Sequence, residues 1–167
     1  IGVQSYRDLE YFRDSQLKRG SKLVVLQNWL SPIENSVTSF DIKKTHLVGR
    51  KIFIYAGNFG LAQSVDVLIR LAKLLDTRTD IGFLFIGRGS EFNRLQAQAK
   101  LDELTNVLFV NEMPADEMPA IYKQCFAGLV SLNMQLRTNN VPGKLVSYLT
   151  YGLPVFASIG KENEIND

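Results

Sequence analysis

Short runs of β-branched and aromatic residues alternate with longer amphipathic stretches through most of this 167-residue chain. The strand-like runs are Lys22 to Gln27, Lys51 to Ala56, Gly82 to Ile86, Asn106 to Val110, Ala127 to Leu132 and Pro154 to Ser158. Several are continuously apolar rather than alternating, as strands covered on both faces are. Between them, Leu61 to Leu75 places Val65, Leu68, Ile69, Ala72 and Leu75 on one helical stripe, and Glu91 to Leu104 does the same with Phe92, Leu95, Ala99 and Leu104. Asp116 to Gln124 reads as a shorter helix. Val141 to Tyr151 reads as another, opened by Pro142 and closed by Gly152. A β-α-β-α rhythm with right-handed crossovers predicts an α/β fold with a parallel, doubly wound, Rossmann-like sheet.

The ends of the chain read differently. Tyr6, Leu9, Phe12, Arg13 and Leu17 have helical spacing, so residues 1–20 are expected to be one helix ended by Gly20. Asn28 to Arg50 is polar, contains Pro32, and is expected to be a linker or irregular loop. The start at Ile1 and the stop directly after a strand pattern lead us to expect a fragment, with residues 1–20 separate from a domain of residues 21–167.

Composition narrows the chemistry. Hydrophobic residues make up 46% of the chain and charged residues 22%, enough for a real core. The net charge is +2, and no basic block exceeds pairs such as Lys18-Arg19 and Lys43-Lys44, so charge gives no reason to expect nucleic acid. A single cysteine, Cys125, excludes an intrachain disulfide and fits a reducing compartment. Its apolar neighbours mark it as a packing residue. His46, the sole histidine, lies in the expected linker, which argues against a Ser-His-Asp triad. Neither metal-ligand spacing nor paired carboxylates occur, and no metal or cofactor is expected. Apolar runs stay far below the roughly 18 residues of a membrane span.

Open α/β sheets bind ligands beyond the carboxyl ends of their strands, so the loops there are the candidate chemistry. Gly57-Asn58-Phe59-Gly60 follows a strand and opens a helix; it is either a tight turn or a place where backbone approaches an anion. Gly87-Arg88-Gly89 has the same setting, with Arg88 as a phosphate contact or a solvated side chain. In the third loop, running from Arg137 into a helix, Lys144 puts a cation in the first turn, where the helix dipole prefers an anion. Lys144, Ser147 and Tyr151 share a side of that helix. Residues 137–145 do not form a Walker loop, because Thr138 and Leu145 stand where Gly and Ser/Thr are required.

Four segments, in order, resemble one family: Tyr55 to Gln63 (YAGNFGLAQ), Phe83 to Gly89 (FLFIGRG), Asn106 to Phe109 (NVLF) and Val141 to Val155 (VPGKLVSYLTYGLPV). They are similar to the C-terminal, donor-binding domain of retaining GT-B glycosyltransferases, group 1 or family 4. The similarity is greatest to the bacterial O-antigen and capsule subgroup, where an Asn-Trp pair like Asn28-Trp29 also occurs. It runs from about Ser21 to the end of the chain.

The resemblance implies a two-domain enzyme in which a missing N-terminal domain binds the acceptor and residues 1–20 are its last helix. This half would hold a nucleotide-sugar, UDP-linked and of hexosyl or N-acetylhexosaminyl type, for transfer to a lipid-linked saccharide. It would work in the cytoplasm, at the inner face of the membrane. The diphosphate is expected against Lys144 and the helix start at Pro142 and Gly143, with Gly57, Asn58, Phe59 and Gly60 opposite and Gly87 and Arg88 nearby. The base is expected at Val110 and Asn111. Many relatives carry two glutamates eight positions apart, and Asn139 and Ser147 stand at those positions here. The usual Arg and Lys of the first loop are replaced by Asn58 and Gln63. Charge stabilisation in the reaction would therefore rest on Lys144, with Arg137 and Asn139 beside it. A nucleotide-sugar epimerase half-domain and a non-catalytic nucleotide-binding or docking module are the alternatives.

Overall fold

A computed structural model of the chain describes residues 1–13, 20–135 and 141–160. At the N-terminus, strand β1 (Gly2–Val3) leads into helix α1 (Tyr6–Arg13), whose first turn is closed by Ser5 Oγ accepting from the Asp8 amide at 3.0 Å. The expected single helix over residues 1–20 is thus corrected: residues 2–3 are extended because they pair, in parallel, with strand β2 (Val24–Val25). Neither β2 nor the expected strand Lys22 to Gln27 joins the main sheet. Residues 14–19, with Leu17, lie outside the described residues.

The main sheet begins at residue 51. Its strands are β3 (Lys51–Asn58), β4 (Ile81–Arg88), β5 (Val107–Asn111), β6 (Ala127–Ser131) and β7 (Val155–Ser158), all parallel, in the order β5-β4-β3-β6-β7. Side-chain alternation along the strands sorts the core in two. Tyr55, Phe83, Phe85 and Val107 face helices α2 (Asp66–Leu74) and α3 (Phe92–Leu101), meeting Leu68, Ile69, Ala72, Phe92 and Leu95. Ile52, Ile54, Ala56, Leu84 and Ile86 face the opposite way, toward helices α4 (Met118–Tyr122) and α5 (Gly143–Thr150). Helices on both faces confirm the doubly wound sheet, and the continuous apolar runs of β3 and β4 are its cause. Burying each such aromatic or aliphatic side chain contributes about 1.5–3 kcal/mol.

Two boundaries differ from expectation for local reasons. The helix expected from Leu61 starts as a separate 3-10 turn, Leu61–Gln63, and breaks at Ser64, whose φ of 45° is left-handed, before α2 begins. The segment 28–50 is irregular, as expected, but it is not a loose linker. Ile42 and Leu47 are buried in the second core, and Gln124 holds it by accepting from the Ile42 amide at 2.9 Å and donating to the Phe40 carbonyl at 3.0 Å. Thr38 Oγ1 donates to Glu117 at 2.6 Å, and Ser36 Oγ donates to the Asp116 carbonyl. The segment is a strap across α4 and α5.

Candidate functional site

The strand order reverses between β3 and β6, which pair through only two residues each, Phe53 with Ala127 and Ile54 with Gly128. Beyond that point Tyr148 of α5 takes over. Its buried hydroxyl accepts from the Ala56 amide at 2.9 Å and donates to the Ile54 carbonyl at 3.3 Å. Its ring lies where a Cβ on Gly128 would fall within 2.3 Å of it, so only glycine fits there. Tyr148 therefore bolts α5 to the carboxyl end of β3.

One turn earlier on α5 stands Lys144. Its Nζ lies 3.7 Å from the centroid of the buried Tyr55 ring, and a Cβ on Gly57 would touch its Cε at 3.4 Å. Gly57, with φ of 136°, gives the strand end both its turn and the room for this side chain. Among the described residues no carboxylate pairs with Lys144. Burial lowers its ammonium from 10.5 to about 7. The Tyr55 ring face is the neighbour that favours the charged form. Pro142 precedes the first turn of α5 and supplies no side-chain cap, and its carbonyl accepts from the Leu145 amide at 2.9 Å.

Beside Lys144 is a cleft of about 300 Å³ beyond β3, β4 and β5. Of the residues expected from the sequence at the donor site, Gly57, Gly87, Lys144 and Ser147 line it together. Ser147 Oγ donates to the Gly143 carbonyl at 3.2 Å, leaving its lone pairs open. The wall missed by the sequence reasoning comes from the loop after β5 and from α4: Glu112, Met113, Ala115, Met118 and Tyr122. The rule that singled out the loops after β3 and β4 applies equally to this one and would have found its first residues. Asn111 is exposed at the end of β5 and Val110 is partly buried in the second core; neither lines the cleft, although Glu112 follows directly.

The other expected residues have different surroundings. Phe59 is fully buried, packed edge-on to Tyr55 and Phe92. Its amide donates to the Arg88 carbonyl and its carbonyl accepts from the Glu91 amide, so it is a core residue and not a wall of the cleft. Asn58 and Gly60 both donate to Gln63 Oε1, at 3.2 and 3.1 Å, closing the first loop on itself. Gly87 is required by close packing, since a Cβ there would lie 1.9 Å from the Gly57 carbonyl oxygen. Arg88 forms a 3.0 Å ion pair with Glu112, both largely exposed at the rim. Tyr151 is turned to the strap, accepting from the Ile33 amide at 2.8 Å. Gly143 is exposed and Pro142 buried at the start of α5. Arg137 and Asn139 lie outside the described residues.

His46 Nε2 lies 3.0 Å from the Val107 carbonyl, at the amino end of β5 and the opposite end of the sheet from the cleft. Burial pushes the Cys125 thiol up to about 12, as suits a packing residue. No helix among the described residues is long and apolar enough to cross a membrane.

The cleft holds one lysine, Lys144, and one carboxylate, Glu112, at the carboxyl ends of the strands, where open α/β sheets take their ligands. Sequence comparison makes the assignment narrower. Residues 37–163 match the family profile described as glycosyl transferases group 1, and the chain belongs to that family. It is 30% identical over 103 residues to the putative colanic acid biosynthesis glycosyl transferase WcaI of Escherichia coli (strain K12), an alignment covering 62% of this chain and 25% of WcaI. The fold is shared with a mutant of S. aureus TarM, solved in complex with fondaparinux, alpha-GlcNAc-glycerol and UDP: TM-score 0.72 and 14% identity, over 99% of this chain and 31% of TarM. It is shared also with the pneumococcal O-GlcNAc transferase GtfA, solved with UDP and GlcNAc: TM-score 0.61 and 15% identity, over 98% of this chain and 31% of GtfA. The chain thus spans between a quarter and a third of these relatives.

Proposed function

We propose that this chain is the donor-binding half of a retaining glycosyltransferase that moves a sugar from UDP, an N-acetylated sugar among the candidates, to a lipid-linked saccharide in bacterial surface-polysaccharide assembly. Residues 1–20 then close a preceding acceptor-binding domain, and the enzyme works at the inner face of the membrane. The observation that carries this reading is Lys144, a half-buried ammonium without a carboxylate partner among the described residues, set at the uncapped start of α5 and at the sheet's switch point. A cation placed so is held ready for an anion. UDP in the TarM and GtfA structures and the colanic acid role named for WcaI support the donor and product classes.

Departure of a nucleoside diphosphate develops negative charge on the leaving oxygens. On this reading Lys144, which lines the cleft, stabilises that charge. Ser147 offers lone pairs to a ribose hydroxyl where relatives use a carboxylate. The leaving phosphate itself takes the acceptor proton, so no side chain of this half is needed as a base, and no metal is invoked. Calorimetric titration with UDP, GDP and ADP tests this. UDP is expected to bind best, and Lys144→Ala to weaken it about 10- to 100-fold, the loss of one charged hydrogen-bonded contact. Indifference of all three nucleotides to the substitution would sink the reading.

A further inference from the structure

A second cleft lies outside the donor site. It has a volume of about 340 Å³ and is lined by Gly2, Gln4, Leu26, Gln27, Asn28 and Trp29, where β1 and β2 meet the start of the strap. Beneath it the two strands are joined by the Leu26 amide donating to the Val3 carbonyl at 2.7 Å, and Gly2 leaves room for the Leu26 side chain, since a Cβ there would meet it at 3.3 Å. Its rim is made of three carboxamides and one indole, without a charged side chain. Trp29 is 79% exposed and stacks on no other ring among the described residues.

The amides are not equivalent. Asn28 is spent on structure: its Nδ2 donates to the Val141 carbonyl at 3.1 Å and its Oδ1 accepts from Gln4 Nε2 at 3.0 Å. It thereby ties the second cleft to the residue before Pro142, the point where α5 and Lys144 begin. Among the described residues Gln4 Oε1 and the Gln27 carboxamide have no partner. An uncharged set of free amide donors and acceptors beside an open aromatic face matches a pyranose: amides suit its hydroxyls, and the indole face suits its ring C–H groups. Neither an anion nor an apolar peptide would be matched by this combination.

We propose that this cleft binds one neutral pyranose unit of the acceptor saccharide, with Trp29 as the stacking platform and Gln4 and Gln27 as the hydroxyl partners. The proposal rests on the glycosyltransferase reading for its substrate class, but it concerns a separate cleft. Asn28 couples the two, so the unit held here sits beside the lead-in to the donor helix rather than in the donor cleft.

Trp29 is the single tryptophan of the chain, so its emission reads this cleft directly. The 167-residue chain is titrated with methyl α-glucopyranoside, methyl α-galactopyranoside and N-acetylglucosamine up to ~100 mM, as weak single-unit binding requires. We expect a saturable change in Trp29 emission with at least one sugar, and a dissociation constant about 3- to 10-fold weaker in Gln4→Ala and in Gln27→Ala. Trp29→Phe, read by calorimetry, should retain part of the binding that Trp29→Ala loses. UDP-GlcNAc added first should leave the sugar titration unchanged. Emission unmoved by all three sugars, or a change insensitive to both glutamine substitutions, overturns the proposal. Competition by UDP-GlcNAc also overturns it, because the occupant would then be the donor's sugar. UDP binding measured on the same samples reports the donor site independently, so loss of one reading is distinguishable from loss of the other.

Discussion

Lys144 carries a proton question along with its charge. In the free protein burial holds its ammonium at about 7 instead of 10.5, and a bound diphosphate would draw it back up. Between those two values the free protein holds the amine neutral and the complex holds it charged, so binding takes up a proton. UDP affinity is therefore expected to fall by up to about tenfold per pH unit above 7. Calorimetry at pH 8 in buffers of unequal ionisation heat should show the uptake in the wild type and none in Lys144→Ala. Stability follows the opposite direction. From pH 7 to 10.5 the unfolded chain keeps this proton and the folded chain does not, so native stability rises with pH across that window. Lys144→Met removes this contribution, and should melt higher than the wild type at pH 7, with the gap closing as the pH approaches 10.5.

Helix α5 joins the core to the site. Tyr148 stands four residues after Lys144, and its hydroxyl occupies the place where the β3–β6 ladder stops. Tyr148→Phe would leave the Ala56 amide buried without a partner, at a cost of about 1–3 kcal/mol. For a chain of this size that corresponds to a fall of roughly 3–10 °C in melting temperature. UDP binding should weaken too, although Tyr148 does not line the cleft, because the helix that aims Lys144 loses its anchor. A thermal melt paired with a nucleotide titration checks both, and a variant that melts lower but binds UDP unchanged would deny Tyr148 the positioning role. The helix itself was legible from its apolar stripe and from Pro142 and Gly152. Its contact with Gly128 was not, because twenty residues separate the two and no local pattern records that approach.

At the scale of the molecule the cleft beside Lys144, proposed as the donor site, lies beyond the ends of β3, β4 and β5. An open half-site neither excludes water nor positions an acceptor, and both are needed to bring two reactants into a near-attack arrangement. The 167-residue chain is accordingly expected to bind nucleotide and not to turn over. A radiolabelled donor assay on the chain alone should show no transfer beyond solvent hydrolysis; sugar transfer by the chain would refute this. The small β1–β2 sheet and α1, which has no fully buried residue, meet the main body through the strap and through Asn28. They are the part of the structure that the sequence placed least well. A helix-spaced set of apolar residues resembles one long helix until strand pairing with residues 24 and 25 is known, and that pairing joins residues 22 positions apart in the chain.

The sequence alone determined the layered architecture, because apolar periods of 2 and 3.6 are local records of what each element must bury. It also determined that Lys144 begins a helix at a strand's carboxyl end, since Pro142, the amphipathic stripe and Gly152 are all neighbours in the chain. Only the tertiary structure decided how the loop residues divide among roles. Gly57 became the floor beneath Lys144, Gly87 a spacer against the Gly57 carbonyl, Phe59 a core aromatic, Arg88 the partner of Glu112, and Tyr148 the bolt of α5. The reason is physical: an element forms from propensity and burial summed over adjacent residues, whereas a site forms from distances between residues far apart in sequence.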